Sequence, residues 1–192
     1  LGRAIKWKYN PEARVVFIGP CIAKKEEARD EKVAGVIDAV LTYAGLDHMF
    51  KDKGIDPAAL EESPFTGPKP HLARAFAISG GLLKAAALSG DVLDSEIVVT
   101  EGKERVTEIL HEVARGEVKA KFLDLLFCEG CINGPVMQND LSVPVRKDII
   151  VDYLVKNADP KRTEHDLEAY SDIDLSRTFT DRSVHLAMPT EE

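Results

Sequence analysis

Three cysteines are the residues of this 192-residue chain whose type and spacing could do chemistry. Cys128 and Cys131 form a Cys-x-x-Cys pair that follows an apolar run and opens into a turn of glycine, asparagine and proline. Cys21 follows a second apolar run and comes directly after Pro20. We therefore expect two strand ends to present sulfur to two loops, and these loops to build one shared site from distant parts of the chain.

The residues alone leave several uses for these thiols open. A Cys-x-x-Cys pair can bind zinc, ligate an iron–sulfur cluster or act as a redox dithiol, whereas a lone cysteine such as Cys21 is often a small buried hydrophobic residue. A redox dithiol normally lies at a helix N-terminus, but here a turn follows the pair. Structural zinc normally has four ligands, and the histidines are scattered: His48, His71, His111, His165 and His185. An iron–sulfur cluster usually takes four thiolates, so one ligand is expected to differ or to lie elsewhere.

Composition limits the classes of function. The 44% hydrophobic and 30% charged residues are those of an ordinary globular protein, and the net charge of −8 argues against nucleic-acid and anionic-membrane partners. The apolar runs are far shorter than the roughly 20 residues that span a bilayer. Three sparse cysteines do not form a secreted disulfide framework, so we expect a cytoplasmic protein. Because the chain begins at Leu1, we expect a fragment of a longer parent.

The elements that would position Cys21 lie in the first third of the chain. Residues 1–10 are expected to end a helix, and Arg14 to Gly19 is typical of a buried strand. A helix predicted from Ile22 to about Asp30 places Cys21 at a strand-to-helix corner, where backbone N–H groups and a partial positive charge would face whatever the thiolate holds. Val33 to Leu41 is predicted as a second strand, and Thr42 as the cap of a helix to Asp52.

A second group of elements leads to the cysteine pair. Residues 76–87 are expected to form a Gly-Gly hinge that enters a small helix. The remaining predictions are a buried strand over 97–100, a helix over 101–115, a strand over 121–127 and an amphipathic helix over 146–157. The alternation predicts an α/β fold of mostly parallel strands layered with helices. We expect residues 1–157 to form one domain and 158–192 to be an arm toward a further module.

Two stretches resemble the iron-only (FeFe) hydrogenases. Residues 20–27, Pro-Cys-Ile-Ala-Lys-Lys-Glu-Glu, are similar to the second signature of that family, Pro-Cys-x-x-Lys-x-x-Glu. Residues 128–135 are similar to the third signature, in which two nearby cysteines precede a glycine-rich turn. Stretches 37–42 and 76–81 fit the linking segments in type and order. The resemblance covers residues 1 to about 157, and the two signatures together, in this order, are specific.

The resemblance implies an iron–sulfur cofactor and roles for five residues. The family holds an H-cluster, a 4Fe–4S cubane joined through one cysteine to a two-iron unit that carries CO, cyanide and a bridging dithiolate. By position, Cys21 and Cys128 would ligate the cubane, and Cys131 would be the bridging thiolate. Lys24 would donate a hydrogen bond to a cyanide of the two-iron unit, and Glu27 would orient or neutralise that lysine.

The chain also departs from the family pattern. The first signature, Thr-Ser-Cys-Cys-Pro or a relative, would precede Leu1 and supply the missing ligand. The third signature is one residue shorter than in the best-known enzymes, and Gly19, Asp124 and Leu126 stand where they have methionine, glutamate and methionine. These departures resemble a divergent, sensory hydrogenase branch whose domain is fused to iron–sulfur and PAS-type modules. Such modules, or a ferredoxin-like carrier, would be the electron partner.

Three functions follow from this reading. The first is the H-cluster part of an enzyme or sensor whose parent reaction is 2H⁺ + 2e⁻ ⇌ H₂. The second is a non-catalytic iron–sulfur or signalling domain with the same fold. The third is a plain zinc-binding or dithiol α/β domain. We expect the chain alone to be inactive because it lacks one cluster ligand.

Overall fold

Helices alternate with short strands along the chain. The computed structural model describes residues 1–67, 70–86, 88, 95–159, 168–174, 176 and 180–181. Its helices and strands are α1 (Gly2–Lys8), β1 (Val16–Ile18), α2 (Ala23–Glu27), β2 (Ala39–Leu41), α3 (Tyr43–Asp52), α4 (Gly81–Ala85), β3 (Ile97–Glu101), α5 (Lys103–Ala114), β4 (Phe122–Leu126) and α6 (Val143–Lys156). Short 3₁₀ helices cover Glu31–Val33, Pro57–Ala59, His71–Ala77 and Cys131–Asn133.

The strands form two parallel pairs within the described residues, β1 with β2 and β3 with β4. In the first pair Val16 lies opposite Ala39, and in the second Ile97 lies opposite Phe122. Parallel neighbours require a crossover connection, and these connections contain α2 and α5. The predicted α/β class with parallel strands is therefore confirmed.

Cys21 lies just after the end of β1, which is paired with β2. The backbone N–H of Gly19 donates to the carbonyl oxygen of Leu41 at 3.1 Å, which extends the pairing to the residue before Pro20. Proline has no N–H to donate, so the hydrogen-bond ladder ends there. The predicted strand is confirmed in position, but its expected burial is wrong. The side chains of Val16, Phe17 and Ile18 are all exposed. Successive side chains of a strand point to opposite faces, so both faces of β1 are open in the part of the chain described.

The predicted strand from Val33 to Leu41 is wrong over its first half. Asp30 accepts the backbone N–H of Lys32 at 2.8 Å and starts a 3₁₀ turn, and Gly35 follows with a left-handed φ of 71°. Only Ala39–Leu41 pairs as a strand. Apolar composition alone does not distinguish a strand from a turn. Here the cap at Asp30 and the left-handed conformation of Gly35 favour the turn.

The predicted cap of α3 and the predicted hinge before α4 are confirmed. The Thr42 Oγ1 accepts the N–H of Gly45 at 3.1 Å, and α3 runs to Asp52 as predicted. The predicted hinge is also present, because Gly80 has a left-handed φ of 74° directly before α4. The helix predicted from Ile22 is shorter than expected and ends at Glu27.

The two amphipathic helices bury less of their apolar faces than their patterns predict. In α5, Val106 is 3% exposed whereas Leu110 is 47% exposed. Helix α6 begins at Val143, earlier than predicted, and buries Leu154 but leaves Ile149 exposed. The strand over 97–100 is half-buried rather than buried. These faces lack a covering layer among the described residues, so periodicity alone overstated the core.

The core that does form reaches the cysteine turn. Its buried apolar side chains are Val15, Ala75, Leu83, Val106, Ile132 and Leu154. Ile132 directly follows Cys131, so the turn is anchored in this core. The predicted arm, 158–192, lies mostly outside the described residues, and the domain boundary stays a prediction. No helix in the described part of the chain is long and apolar enough to cross a membrane.

Candidate metal centre

Cys21 lies at the corner between β1 and α2, as expected. Its side chain is half-buried, and Pro20 before it is buried. One helical turn later, the Lys24 Nζ donates a hydrogen bond to the Glu27 Oε2 within α2. The predicted lysine–glutamate pair therefore forms and faces partly to solvent. Their roles toward a cofactor stay predictions.

Strand β4 leads to the second cysteine loop. The Gly102 N–H donates to the carbonyl oxygens of Leu126 at 2.9 Å and Cys128 at 3.2 Å. Gly102 has a φ of 88°, which an L side chain rarely adopts, and it directly precedes α5 as its N-cap residue. The start of α5 thus holds the strand end and the first cysteine of the pair. The strand stops at Leu126, before the predicted Phe127, and Cys128 is exposed.

The loop between the paired cysteines is closed by its own hydrogen bonds. Buried Gly130 has a φ of 91° and precedes the 3₁₀ turn Cys131–Asn133. The Asn133 Nδ2 donates to the carbonyl oxygen of Glu129 at 2.7 Å, across the turn. Cys131 is half-buried, unlike exposed Cys128. The two thiols of the pair therefore occupy unequal environments.

The two cysteine loops touch at Gly134. A Cβ atom built on Gly134 would lie 2.8 Å from the Pro20 carbonyl oxygen and 2.9 Å from the Pro20 Cβ. The backbone of the Cys131 turn therefore packs directly against the residue before Cys21. On another side of the turn, a Cβ on Gly130 would lie 3.4 Å from the carbonyl oxygen of Ala77, in the segment before the hinge. Three distant segments of sequence meet here.

The electrostatics of Cys131 place all three thiols in one neighbourhood. Burial raises the pKa of the Cys131 thiol above its ordinary value, and nearby Cys128 and Cys21 raise it further. The Lys24 ammonium is close enough to lower the same pKa in part. Together these effects favour the protonated thiol, because a second or third thiolate would be repelled by the first. A bound cation would remove that repulsion.

The donor set fits an iron–sulfur cluster in type but provides three ligands rather than four. Within the described residues, no three Cys, His, Asp or Glu side chains form a group suited to one metal ion. A cluster with several iron atoms takes each terminal thiolate on a different iron, so its ligands need not converge on one point. Soft sulfur donors and a positive Lys24 suit such a cluster.

Asp124 connects the hinge to the strand that carries the cysteines. It is 4% exposed, and the backbone N–H groups of Leu82 and Leu83 donate to its carboxylate. Its Oδ2 has no hydrogen-bond partner among the residues that the structure describes. Burial raises the pKa of Asp124, and the two N–H donors oppose that shift only in part. A cavity of about 360 Å³ lies beside it, lined by Phe76, Ile78, Leu82, Leu123, Asp124, Leu125 and Leu126.

Sequence reasoning missed several residues that shape this site. Gly102, Asn133 and Arg146 hold the second cysteine loop, and Gly134 makes the contact to Pro20. A small residue followed by Pro135 is a signal that could have identified the close approach at Gly134. Gly102 and Arg146 act through hydrogen bonds to distant residues, for which local sequence carries no signal, whereas Asn133 closes its own turn by a bond to Glu129.

The family assignment rests on a match over most of the chain. The model for the iron-only hydrogenase large subunit, C-terminal domain, matches residues 1–135, which include both cysteine loops. The chain belongs to this family. The resemblance seen in the two signatures is thereby confirmed at the level of the family.

Solved [FeFe]-hydrogenases share the fold. An apo form of HydA1 from Chlamydomonas reinhardtii is 17% identical with a TM-score of 0.58, and the match covers 89% of this chain and 63% of that one. A second structure, from work on oxygen inactivation and degradation of the two-iron subcluster, is 17% identical with a TM-score of 0.56 and coverages of 88% and 60%. The chain thus spans about three fifths of these relatives. At this identity the likeness shows the fold alone.

Replacement of Gly134 by alanine is expected to separate the two cysteine loops. Its Cβ would clash with backbone oxygen of Pro20, which cannot move aside by rotating a side chain. We expect the free energy of unfolding to fall by about 1–3 kcal/mol, as for other overpacked sites. Gly45→Ala is the matched control, because a Cβ there meets only the Thr42 Oγ1, at 3.4 Å. Equal denaturant midpoints for the two variants would refute the close contact.

The titration of Asp124 is expected to make stability depend on pH. Its folded-state pKa is raised, so the fold favours the protonated acid, and stability is lost as the pH rises from about 4 through the folded-state pKa. Asp124→Asn removes this charge and keeps an acceptor oxygen for Leu82 and Leu83. In urea unfolding, we expect Asp124→Asn to have a larger free energy of unfolding than the unaltered chain at neutral pH. This difference should shrink toward about pH 4. Asp140→Asn, at an exposed aspartate, should show no such trend.

Proposed function

We propose that this chain supplies three thiolates to an H-cluster, with Cys21 and Cys128 as ligands of the cubane and Cys131 as the thiolate that bridges to the two-iron unit. One observation carries the shared site: Gly134, at the end of the Cys131 turn, packs against Pro20 directly before Cys21, and Cys21 and Cys128 both raise the pKa of the Cys131 thiol. The separate roles of the three thiols are those that the family resemblance implies. Membership of the iron-only hydrogenase family supports it. When bound, the H-cluster supplies the redox chemistry that interconverts protons, electrons and H₂.

The residues around the thiols have three roles in this proposal. Lys24 places a positive charge near Cys131, which offsets part of the negative charge gathered by three thiolates. Glu27 forms an ion pair with that ammonium, and the family resemblance implies that Lys24 would donate a hydrogen bond to a cyanide ligand when the cluster is bound. Half-buried Cys131 and buried Ile132 reduce the access of water to the bridging position.

The activity proposed for the intact parent is 2H⁺ + 2e⁻ ⇌ H₂, or the use of that equilibrium in H₂ or redox sensing. The chain spans about three fifths of its solved relatives and carries three cysteines, so it is proposed to be inactive by itself. The family resemblance implies that a fourth ligand would come from outside the three cysteines of this chain. Electrons would pass to a ferredoxin-like carrier or to fused iron–sulfur or PAS modules, in the cytoplasm.

A second candidate is a non-catalytic iron–sulfur or signalling domain. It is favoured by the end of β4, where Asp124 and Leu126 line the cavity in place of the glutamate and methionine of the best-known enzymes. A leucine has no sulfur to contact a metal unit, and a buried aspartate reaches less far than glutamate. The cluster would then be retained without hydrogen turnover.

Infrared spectra of the intact parent, matured without oxygen, test the first proposal. Metal-bound CO and cyanide bands are expected together with the cubane. A cubane without these bands would exclude the H-cluster, and hydrogen-dependent dye reduction separates the two candidates. A full H-cluster without a measurable rate would favour the signalling domain, whereas turnover would favour the enzyme.

A further inference from the structure

Arg146 reaches from α6 to the turn that carries Cys131. Its backbone N–H donates to the Ser142 carbonyl oxygen at 3.0 Å, which places it in the first turns of the helix. Its guanidinium Nη1 donates to the carbonyl oxygen of Ile132 at 3.1 Å and lies 3.4 Å from the Asn133 Oδ1. Both acceptors belong to the 3₁₀ turn Cys131–Asn133. One side chain therefore fixes the two residues that follow the bridging cysteine.

The Arg146 guanidinium is itself held by a turn formed by residues 137–141. Its Nε donates to the Asn139 Oδ1 at 3.1 Å, and the same oxygen accepts the N–H of Leu141 at 3.2 Å. The Asn139 Nδ2 donates to the Met137 carbonyl oxygen at 3.0 Å. Between them, Gln138 has a φ of 49°, a left-handed conformation that is unfavourable for a non-glycine residue. The strained turn presents the Asn139 oxygen to Arg146.

The hydrogen bonds continue from Arg146 into the loop between the cysteines. Asn133 offers its Oδ1 to Arg146 and donates its Nδ2 to the Glu129 carbonyl oxygen at 2.7 Å. Glu129 directly follows Cys128. A connected series of contacts thus runs from α6 through Arg146 and Asn133 to the residue beside the first thiol of the pair. Movement of Arg146 would be transmitted to both ends of the turn.

We propose that Arg146 is a positioning residue, which holds the Cys128–Cys131 turn in the conformation that presents its thiols to the cluster. The inference rests on the proposed function, because it assigns those thiols as ligands. It goes beyond the region matched by the family model, which ends at residue 135. The contacts of Arg146 go to backbone and amide oxygens, so it acts on the position of the turn. The cation that acts on the charge of Cys131 is Lys24.

Arginine suits this role better than lysine. The Nε and Nη1 atoms donate in two directions at once, to Asn139 on one side and to the turn on the other. A lysine ammonium is a single point at the end of a flexible stem and cannot keep both contacts in the same geometry. Arg146→Lys should therefore restore the turn only in part.

Thiol alkylation of the full chain tests the proposal without any metal. Iodoacetamide labelling of the reduced, metal-free chain, followed by mass spectrometry of each cysteine peptide, gives a separate rate for Cys21, Cys128 and Cys131. In the unaltered chain Cys131 should react more slowly than exposed Cys128. Arg146→Gln is expected to raise the Cys131 rate about tenfold, the equivalent of about 1.4 kcal/mol of lost local protection, and to leave Cys21 unchanged.

Three further variants complete the test. Lys147→Gln, at the exposed neighbour on α6, is the matched control and should leave all three rates unchanged. Arg146→Lys should give an intermediate Cys131 rate, and Asn139→Ala a smaller rise in the same direction. An unchanged Cys131 rate in Arg146→Gln would overturn the proposal. An equal rise at all three cysteines would also overturn it, because that pattern indicates general loss of structure.

The outcome is separable from that of the proposed function. Suppose that the unaltered chain takes up no iron–sulfur cluster but the Cys131 alkylation rate rises selectively in Arg146→Gln. The positioning role of Arg146 is then supported and the ligand assignment fails. If a cluster forms equally well in Arg146→Gln and the Cys131 rate is unchanged, the ligand assignment stands and the positioning role fails.

Discussion

Replacement of Gly81 by alanine is expected to disrupt the hinge and to lower the free energy of unfolding by about 3 kcal/mol or more. A Cβ atom there would lie 1.6 Å from the carbonyl oxygen of Ala75 and 2.2 Å from its carbonyl carbon. Those are backbone atoms, and Ala75 is itself one of the buried core residues. Relief therefore requires moving the 3₁₀ helix His71–Ala77 away from α4.

Such a movement would reach the cysteine site. Ala77, at the end of that 3₁₀ helix, packs against Gly130 between the paired cysteines. Helix α4 also donates its Leu82 and Leu83 N–H groups to Asp124 on β4. Displacing the hinge thus disturbs both a wall of the cysteine turn and the strand that leads into it. We expect Gly81→Ala to lower cluster retention as well as stability.

Urea denaturation followed by circular dichroism measures the first effect. Gly45→Ala serves as the control, because Gly45 lies inside α3, where alanine is favoured over glycine by about 1 kcal/mol, and its Cβ meets only the Thr42 Oγ1. The control should be neutral or slightly stabilising. A Gly81→Ala midpoint within error of the unaltered chain would show that α4 and the preceding 3₁₀ helix are not packed as described.

Replacement of any one cysteine by serine is expected to give the largest functional effect. Each substitution leaves two thiols, and serine oxygen is a poor substitute for a soft sulfur ligand of iron. We expect the iron retained after anaerobic reconstitution and desalting to fall at least tenfold, a loss of roughly the size seen when metal-site partners are removed. An added monothiol should not restore it.

Lys24→Gln provides the contrast for these variants. It removes the positive charge near Cys131 and the ion pair to Glu27, but keeps all three sulfur donors. It should retain more iron than any of the serine variants, at somewhat lower affinity than the unaltered chain. Full iron retention by Cys21→Ser would mean that Cys21 is not a ligand. The iron would then be held by Cys128 and Cys131 without Cys21.

Features encoded by neighbouring residues were predictable from sequence. Thr42 caps α3 through a contact to Gly45 three residues away, and the Lys24–Glu27 pair forms within one helical turn. Both depend on residues close in sequence, so pattern and propensity are sufficient. The α/β class followed in the same way from the alternation of short apolar runs and helical periods.

Features that depend on distant residues were not predictable. The run from Val33 to Leu41 has strand-like composition, but Asp30 and Gly35 turn its first half away from β1. The apolar stripe of α5 predicted burial that Leu110 lacks, because burial depends on a second surface. The Gly134–Pro20 approach and the Arg146 contacts span about 114 and 14 residues along the chain. Local sequence says little about such pairs.

The proximity of the three cysteines was predictable only in part. The two strand ends that carry thiols already predicted one shared site for Cys21, Cys128 and Cys131, and the family signatures added the separate role of each thiol. The contact at Gly134 and the shared influence on the pKa of Cys131 agree with that expectation. The roles of the individual thiols stay predictions until a cluster is bound.

The most direct measurement is the iron and acid-labile sulfide content of the full chain, reconstituted and purified without oxygen, together with its electron paramagnetic resonance spectrum after reduction. The account predicts about four iron and four sulfide per chain and the signal of a reduced 4Fe–4S cluster. Both should be lost when Cys21, Cys128 and Cys131 are all replaced by serine. One zinc per chain with no iron, or unchanged iron in the triple variant, would contradict it.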